Sequence, residues 1–179
     1  EEILTLTAHF DSVPEGPGAY DNMAGGAIIM ELCRYFHAHR PRRTMEFIWF
    51  GAEEKGLLGS QNYVQVHEKE LAMHHFNMNV DLAGQLVGGT VIGMSTKHQV
   101  WVSDSNSFAW KGVPAMTLNR DGFGMHTRHD TIALLSDWSL KRSAELLGHI
   151  ADRLGNIETL PIIRTMPEEF VKELEEYFA

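Results

Sequence analysis

Two adjacent acids, Glu53 and Glu54, lie between segments of different character, and this junction is the strongest constraint on the fold. Residues 44–50 are rich in aromatic and β-branched side chains, which predicts a buried strand. A helical pattern begins at about Gly56. Because open α/β sheets bind ligands at the carboxyl ends of their strands, we expect both carboxylates at such an edge. Neighbouring side chains in a turn point in different directions, so one acid can bind a metal ion while the other moves a proton.

Two adjacent acids alone are typical of a solvated loop, but two further predicted strands also end in potential metal ligands. The strand at residues 3–10 ends near His9 and Asp11, and the strand at residues 76–81 ends in Asp81. His9 and Asp11 share a face at strand spacing, so Asp11 can accept a hydrogen bond from the second ring N–H of His9 and fix its tautomer. Three strands that end in this way at one edge of a sheet predict a metal site.

Asp21 adds a further carboxylate near this edge. A loop rich in Pro and Gly leads to it, and a helix is predicted from about residue 22 to residue 39. Asp21 stands where acids commonly cap a helix, and that role is sufficient to explain it. The alternative is that Asp21 lies between two divalent ions and bridges them.

His126 and His129 are alternatives for a single imidazole ligand. They follow a strand predicted at residues 113–118, and their spacing does not favour one over the other. The adjacent residues His74 and His75 are predicted to lie at the surface, because neighbouring side chains on one element point apart.

The composition is ordinary for a soluble globular protein and limits the partners. The chain of 179 residues is long enough for one domain with a sizeable core. Its net charge of −9 argues against nucleic acid, which requires clustered Lys and Arg. No apolar run approaches the roughly 20 residues of a membrane span. Ten His and one Cys favour imidazole and carboxylate ligands, which suit zinc or a similar divalent ion.

The cellular compartment stays open. Cys33 is the one cysteine, which excludes an internal disulfide and a multi-thiolate metal site and fits a reducing compartment. The chain shows no signal-peptide pattern, so the cytoplasm is slightly favoured. It also lacks an initiator Met, so a missing N-terminus, and with it secretion, is the alternative.

Taken in order, the motifs resemble the co-catalytic di-zinc exopeptidases, which include bacterial leucyl aminopeptidases, glutamate carboxypeptidase and glutaminyl cyclase. The six motifs are His9-Phe10-Asp11-Ser12, Gly18-Ala19-Tyr20-Asp21-Asn22, the run from Gly51 to Ser60, Asn79-Val80-Asp81, Ser103-Asp104 and His126-Thr127-Arg128-His129-Asp130-Thr131. Each motif is modest alone, but six in this order are specific. The resemblance covers about residues 3–150.

This resemblance implies two zinc ions and five ligands. The ligands are His9, Asp21, Glu54, Asp81 and His126. One zinc takes His9 and Asp81, the other takes Glu54 and His126, and Asp21 bridges them.

Two further roles are implied by the same resemblance. Glu53 is the general base, and Asp11 is the partner that holds His9 in place. The resemblance also favours His126 over His129, because the family's ligand opens the His-Thr-x-x-Asp-Thr run.

The implied fold is α/β, with a mixed, mainly parallel sheet flanked by helices, of the zinc-exopeptidase and phosphorylase/hydrolase-like type. We expect one zinc-peptidase catalytic domain over residues 1–179, with residues 155–179 as a C-terminal helical extension. The family usually has more chain before the His9 strand and between Asp81 and Ser103, so a shortened form is expected. Packing of the last helix onto the domain is favoured, and a homo-oligomer in which it covers a partner subunit is the alternative.

The expected activity is that of a metallo-exopeptidase, most simply an aminopeptidase that acts on peptides with an apolar first residue. Arg120 and Arg128 flank His126 and could instead hold a substrate carboxylate, which leaves a carboxypeptidase or dipeptidase as an alternative. A glutaminyl cyclase and a non-catalytic binding module, such as the related domain of the transferrin receptor, are further alternatives on this scaffold.

Overall fold

Strands and helices alternate along the chain in the computed structural model, which describes residues 2–97 and 102–179. The strands are β1 (Ile3–His9), β2 (Thr44–Phe50), β3 (His74–Val80), β4 (Thr90–Met94) and β5 (Ala115–Arg120). The helices are α1 (Ala24–Ala38), α2 (Leu58–Val66), α3 (Ser105–Trp110), α4 (Asp137–Asn156) and α5 (Glu168–Tyr177). The four residues 98–101, which fall in the segment expected to be shortened, lie outside the described residues.

The strands form one sheet in the order β2-β1-β3-β5-β4. The first four pair in parallel, and β4 runs antiparallel to β5 at the edge. This confirms the predicted mixed, mainly parallel sheet. His9 pairs with Phe50 at the ends of β1 and β2, and β3 ends one residue before Asp81. The three strand ends that carry the predicted ligands are therefore neighbours at one edge.

One face of the sheet is apolar and carries α1 and α4. Alternate residues of β1, namely Leu4, Leu6 and Ala8, are fully buried in a cluster that also contains Ile29 of α1 and Leu147 of α4. The period of two in β1 and the helical spacing in α1 and α4 are what this packing requires. Burial of each leucine or isoleucine side chain in this cluster stabilises the fold by about 1.5–3 kcal/mol.

The opposite face of the same strands is buried but polar. Thr5, Thr7 and His9 alternate with the apolar residues of β1 and are almost completely buried. The Thr7 hydroxyl donates to Asn79 Oδ1 at 2.8 Å, and the Asn79 amide donates to the Ser103 hydroxyl at 2.8 Å. Because buried polar groups need partners, this row of hydrogen bonds fixes the register of β1 against β3. It leads directly to the strand ends that carry the site.

His74 belongs to this polar face, and its predicted place at the surface is wrong. Its side chain is buried, Nδ1 lies 2.9 Å from the Thr5 hydroxyl, and Glu46 Oε2 is 3.5 Å away. Burial lowers the pKa of His74. The reason for the error is that β3 is a central strand that begins at His74, so strand alternation directs this side chain inward. His75 points the other way and is half-buried.

The C-terminal region is helical only in part. α4 continues to Asn156, residues 157–167 form neither helix nor strand, and α5 follows. α5 packs against α3 through Phe170 and Leu174, which form a small buried cluster with Ala109. Within the described parts of the chain, none of the helices has the length and apolar character that crossing a bilayer requires.

Candidate metal centre

Asp11 holds the glutamate pair at the end of β2. Ala52 has a left-handed φ of 59°, which turns the chain sharply after the strand. The next two residues open a short helical turn, and their N–H groups donate to Asp11: Glu53 N to Oδ1 at 3.1 Å and Glu54 N to Oδ2 at 3.2 Å. A carboxylate is favourable at the first turn of a helix, where N–H groups lack partners. Asp11 thus couples the end of β1 to the end of β2.

His9 directs its Nε2 atom at three acids. Its Nδ1 atom lies 3.2 Å from the backbone oxygen and 3.5 Å from Oδ1 of Asp11, which leaves Nε2 as the free ligand atom. Nε2 is 3.2 Å from Asp21 Oδ1, 3.3 Å from Asp81 Oδ1 and 4.0 Å from Glu53 Oε2. The imidazole is almost fully buried. Such an orientation, with one nitrogen held and the other directed at carboxylates, is typical of a metal-binding histidine.

The backbone around Asp21 is positioned by two buried side chains. Asp130 accepts hydrogen bonds from Tyr20 N at 2.6 Å and from Asp21 N at 3.0 Å. The Asn22 amide donates to Val80 O at 2.8 Å, next to the end of β3. These bonds leave the Asp21 carboxylate itself free to face the site.

Asn22, not Asp21, caps α1. Asn22 Oδ1 accepts the N–H of Gly25 at 3.2 Å, so the capping role considered for Asp21 is filled by its neighbour. The chain approaches closely here: a Cβ on Gly25 would lie 2.4 Å from Asn22 Oδ1 and 2.8 Å from Val80 O. Glycine is therefore required at this position.

Asp21 contacts both imidazoles of the site. Its Oδ1 atom lies 3.2 Å from His9 Nε2, and its Oδ2 atom lies 3.0 Å from His126 Nε2. His126 Nε2 is also 3.1 Å from Glu54 Oε2. His129 joins neither group of potential ligands; its ring is instead 3.5 Å from Arg128.

Two groups of potential metal ligands result, each with donor atoms within 4.8 Å of one another. The first contains His9, Glu53 and Asp81, and the second contains Asp21, Glu54 and His126. These six residues and Asp11, which accepts the Glu53 and Glu54 N–H bonds, are the predicted ligands and catalytic residues, and they lie together. Glu53 falls in the first group, although the family resemblance gives it the role of base. Asp21 Oδ1, at 3.2 Å, is closer to His9 Nε2 than Glu53 Oε2 is, at 4.0 Å.

Unusual backbone conformations cluster at this site. The non-glycine residues with left-handed φ in the described parts of the chain are Ala52, Leu57, Leu82 and His126. Each either belongs to the site or lies within three residues of one of its acids. Such conformations cost about 1–3 kcal/mol each and persist where the surrounding structure enforces them. The chain is therefore strained where it presents donor atoms.

The electrostatics of the site call for added positive charge. Burial opposes the charged form of His9, but hydrogen bonds to Asp21 and Asp81 prevail and raise its pKa to about 12. Burial, together with the charge of Asp81, raises the pKa of Glu53 to about 9. Burial and the charge of Asp21 likewise raise the pKa of Glu54. Protons must compensate these crowded carboxylates unless cations do so.

The donor set fits two divalent ions. Glu54 Oε1 is buried and has no hydrogen-bond partner among the described residues, which leaves a ligand atom available. Imidazole nitrogens combined with carboxylate oxygens suit zinc and similar ions. Each group offers three donors, which leaves room for water or a substrate atom.

Two residues support the site in ways that the sequence did not indicate. Asp130 and Ser103 lie within the quoted motifs, yet only the structure shows that Asp130 orients Asp21 and that the Ser103 hydroxyl donates to Asp81 Oδ2 at 2.5 Å. Asp104 next to Ser103 is completely buried, and burial raises its pKa to about 7. Their position within the motifs was the only sign in the sequence that Asp130 and Ser103 belong to the site, because the residues they bond are distant in sequence.

Arg120 does not reach the site, contrary to its predicted position near His126. Its guanidinium donates to Leu86 O at 3.0 Å, Val87 O at 3.2 Å and the Thr90 hydroxyl at 3.3 Å, which ties β5 to the segment before β4. The side chain is therefore occupied by structural hydrogen bonds on the outer part of the sheet.

Comparison with known sequences identifies the family. The model of peptidase family M28 matches residues 1–102, more than half of the chain. The chain belongs to this family. The matched residues include His9, Asp21, Glu54 and Asp81, whereas His126 lies beyond them.

Two curated relatives that the chain resembles are named as aminopeptidases. Aminopeptidase YwaD of Bacillus subtilis is 37% identical over 133 residues, which are 70% of this chain and 29% of that protein. An aminopeptidase of Pseudomonas aeruginosa is 34% identical over 113 residues, 63% of this chain and 20% of the relative. The chain thus spans less than a third of the length of these curated relatives.

Solved structures share the fold. The aminopeptidase from Aneurinibacillus sp. strain AM-1 superposes with a TM-score of 0.81 at 26% identity, covering 90% of this chain and 46% of that one. BSAP, a zinc aminopeptidase from Bacillus subtilis, superposes with a TM-score of 0.79 at 25% identity, covering 93% and 50%. The M28 chain described here therefore corresponds to about half of each solved structure.

The raised pKa values predict that metal binding releases protons. Without metal, His9 is an imidazolium at neutral pH because its pKa is about 12, and a metal ion binds only the neutral ring. Zinc binding should therefore release at least one proton per chain, and its affinity should rise about tenfold per pH unit from about pH 6 to about pH 8. Calorimetric titrations in two buffers of different ionisation enthalpy measure the release. A pH-independent affinity without proton release would contradict this assignment.

Proposed function

We propose that this chain carries the catalytic site of a zinc aminopeptidase that releases apolar residues from the N-termini of peptides. The observation that carries the proposal is the contact of one carboxylate, Asp21, with both imidazoles, so that the two groups of ligands form one centre. Membership of peptidase family M28 and the names of the relatives support a peptidase that uses zinc.

The pocket beside the metal centre favours the amino end of a peptide. It encloses about 480 Å³, and four acids are among its lining residues: Asp21, Glu53, Glu54 and Asp81. None of the described residues that line it is Lys or Arg. Carboxylates attract the α-ammonium group of a peptide, whereas a terminal carboxylate would be repelled and needs a cationic partner. Arg120, one of the two such partners considered from the sequence, is bound to backbone oxygens elsewhere.

The proposed roles assign Glu53 to proton transfer and the remaining donors to metal binding. Bound zinc supplies Lewis acidity, which polarises a peptide carbonyl and makes a nearby water more acidic. Glu53 accepts a proton from the attacking water and delivers it to the amine that leaves. The Glu53 N–H bond to Asp11 keeps this carboxylate beside the site. Burial, together with the charge of Asp81, raises the pKa of Glu53, and nearby cations would offset both effects, so that Glu53 is ionised and can act as a base.

The other functions considered from the sequence lack a supporting observation. A non-catalytic module does not require a complete set of ligands, yet every predicted ligand is present and directed at the site. A one-zinc cyclase would need only one of the two groups, and both are formed.

Glu53→Gln tests the role of the base. Glutamine keeps the size of the side chain but cannot accept the proton, so kcat should fall about 10²–10⁴-fold while two zinc ions per chain are retained. Steady-state kinetics with leucine anilide and metal analysis of the same sample measure both quantities. Lys55→Ala, on the same turn but outside the pocket, serves as the matched control and should retain wild-type turnover. Full activity of Glu53→Gln would refute the assignment.

A panel of substrates tests which end of the peptide is recognised. Aminoacyl anilides with a free amino group should be cleaved, and N-blocked dipeptides with a free carboxyl end should not, because the pocket offers acids rather than cations. Arg128→Ala should leave cleavage of the anilides unchanged. If only the blocked dipeptides are cleaved, and Arg128→Ala abolishes that cleavage, the chain is a carboxypeptidase.

A further inference from the structure

The C-terminal helix α5 is fixed against α3 by aromatic and aliphatic contacts. Phe170 and Leu174 are one helical turn apart and are buried beside Ala109. Phe178, just after the helix, stacks on Trp110 with ring centroids 4.7 Å apart and an interplanar angle of 26°. These contacts lie on one side of α5, as helical spacing requires.

Tyr177 lies three residues after Leu174, on the same side of α5, and it lines the metal-site pocket. Its ring packs edge-on against Phe178, with centroids 4.9 Å apart and planes at 87°, and the residue is 47% exposed. Burial, followed by the charge of Glu53, raises the pKa of Tyr177, so the phenol is neutral beside the acids. The last turn of α5, far outside the residues that match family M28, thus supplies a wall of the pocket.

The pocket is lined by apolar residues as well as by acids. Leu57 and Leu82 line it, and Val102, Met125 and Tyr177 add large apolar surfaces that are 60%, 40% and 47% exposed. Exposed apolar side chains that gather in a concavity mark a surface that an apolar group of a ligand covers. An α-ammonium held by the acids would leave these apolar residues to contact the side chain of the first residue.

We propose that Tyr177 is a specificity-determining residue, and that its ring forms the wall against which a large apolar side chain of the released residue packs. This inference rests on the proposed aminopeptidase function, whose residues at the metal centre it does not alter. It gives α5 a role in substrate selection in addition to its packing on α3. The ring, and not the hydroxyl, carries the contact.

Kinetics of three variants test the proposal. In Tyr177→Ala, kcat/KM for leucine and phenylalanine anilides should fall about tenfold or more, whereas that for alanine anilide should change less than about twofold. Tyr177→Phe keeps the ring and should stay within about twofold of wild type for all three substrates. Lys172→Ala, exposed on the same helix, controls for a general disturbance of α5. Equal losses for small and large substrates, or a loss in Tyr177→Phe, would overturn the role of the ring.

A binding measurement separates this inference from the proposed function. Calorimetry of the zinc-loaded protein with L-leucinol and L-alaninol measures the preference for a large side chain without catalysis. Wild type and Tyr177→Phe should prefer L-leucinol, and Tyr177→Ala should lose about tenfold of that preference. If no anilide is cleaved but this binding pattern is found, the proposed activity is wrong and the role of Tyr177 in binding the side chain is supported. If wild type binds both alcohols equally, or binds neither, the proposed role of Tyr177 is wrong, whether or not the chain cleaves anilides.

Discussion

The carboxylate of Asp21 is the contact on which the rest of the site depends. One of its oxygens faces His9 at the end of β1, and the other faces His126 on a distant loop. Asp130 accepts the backbone N–H bond that holds Asp21 in place, and Asp11 accepts those of Glu53 and Glu54. Both acids are distant in sequence from the residues they hold. Hydrogen bonds between buried backbone N–H groups and these carboxylates thus bring three strand ends and two loops together. The parallel sheet provides the common edge.

This arrangement concentrates acids at a strained, largely buried point of the backbone. The raised pKa values of His9 and Glu53 show that carboxylates this close retain protons when no cation compensates them. Left-handed residues such as Ala52 and His126 add conformational strain at the same place. Natural proteins keep such features where function requires them. Binding of divalent ions offsets the repulsion and so links the stability of the site to its chemistry.

The sequence allowed the sheet and the donor atoms to be predicted, since these depend on local patterns. Alternation in β1 and the acid after β3 placed His9 and Asp81 at one edge without knowledge of the structure. Properties set by distant partners could not be predicted. His74 is buried because β3 is central, Arg120 binds carbonyl oxygens that precede β4, and Tyr177 faces the pocket because α5 rests on α3. The side chain that caps α1 belongs to Asn22 and not to Asp21, and the spacing of residues alone could not distinguish the two.

The most direct test of a shared centre is the zinc content of Asp21→Ala compared with Asp81→Ala. Asp21 contacts the imidazoles of both groups of ligands, whereas Asp81 belongs to one of them. Metal analysis after equilibrium dialysis should find two zinc ions in wild type, about one in Asp81→Ala, and weakened binding at both positions in Asp21→Ala. Circular dichroism confirms that each variant is folded. If folded Asp21→Ala retains two zinc ions with wild-type affinity, Asp21 does not join the two halves and the account is wrong.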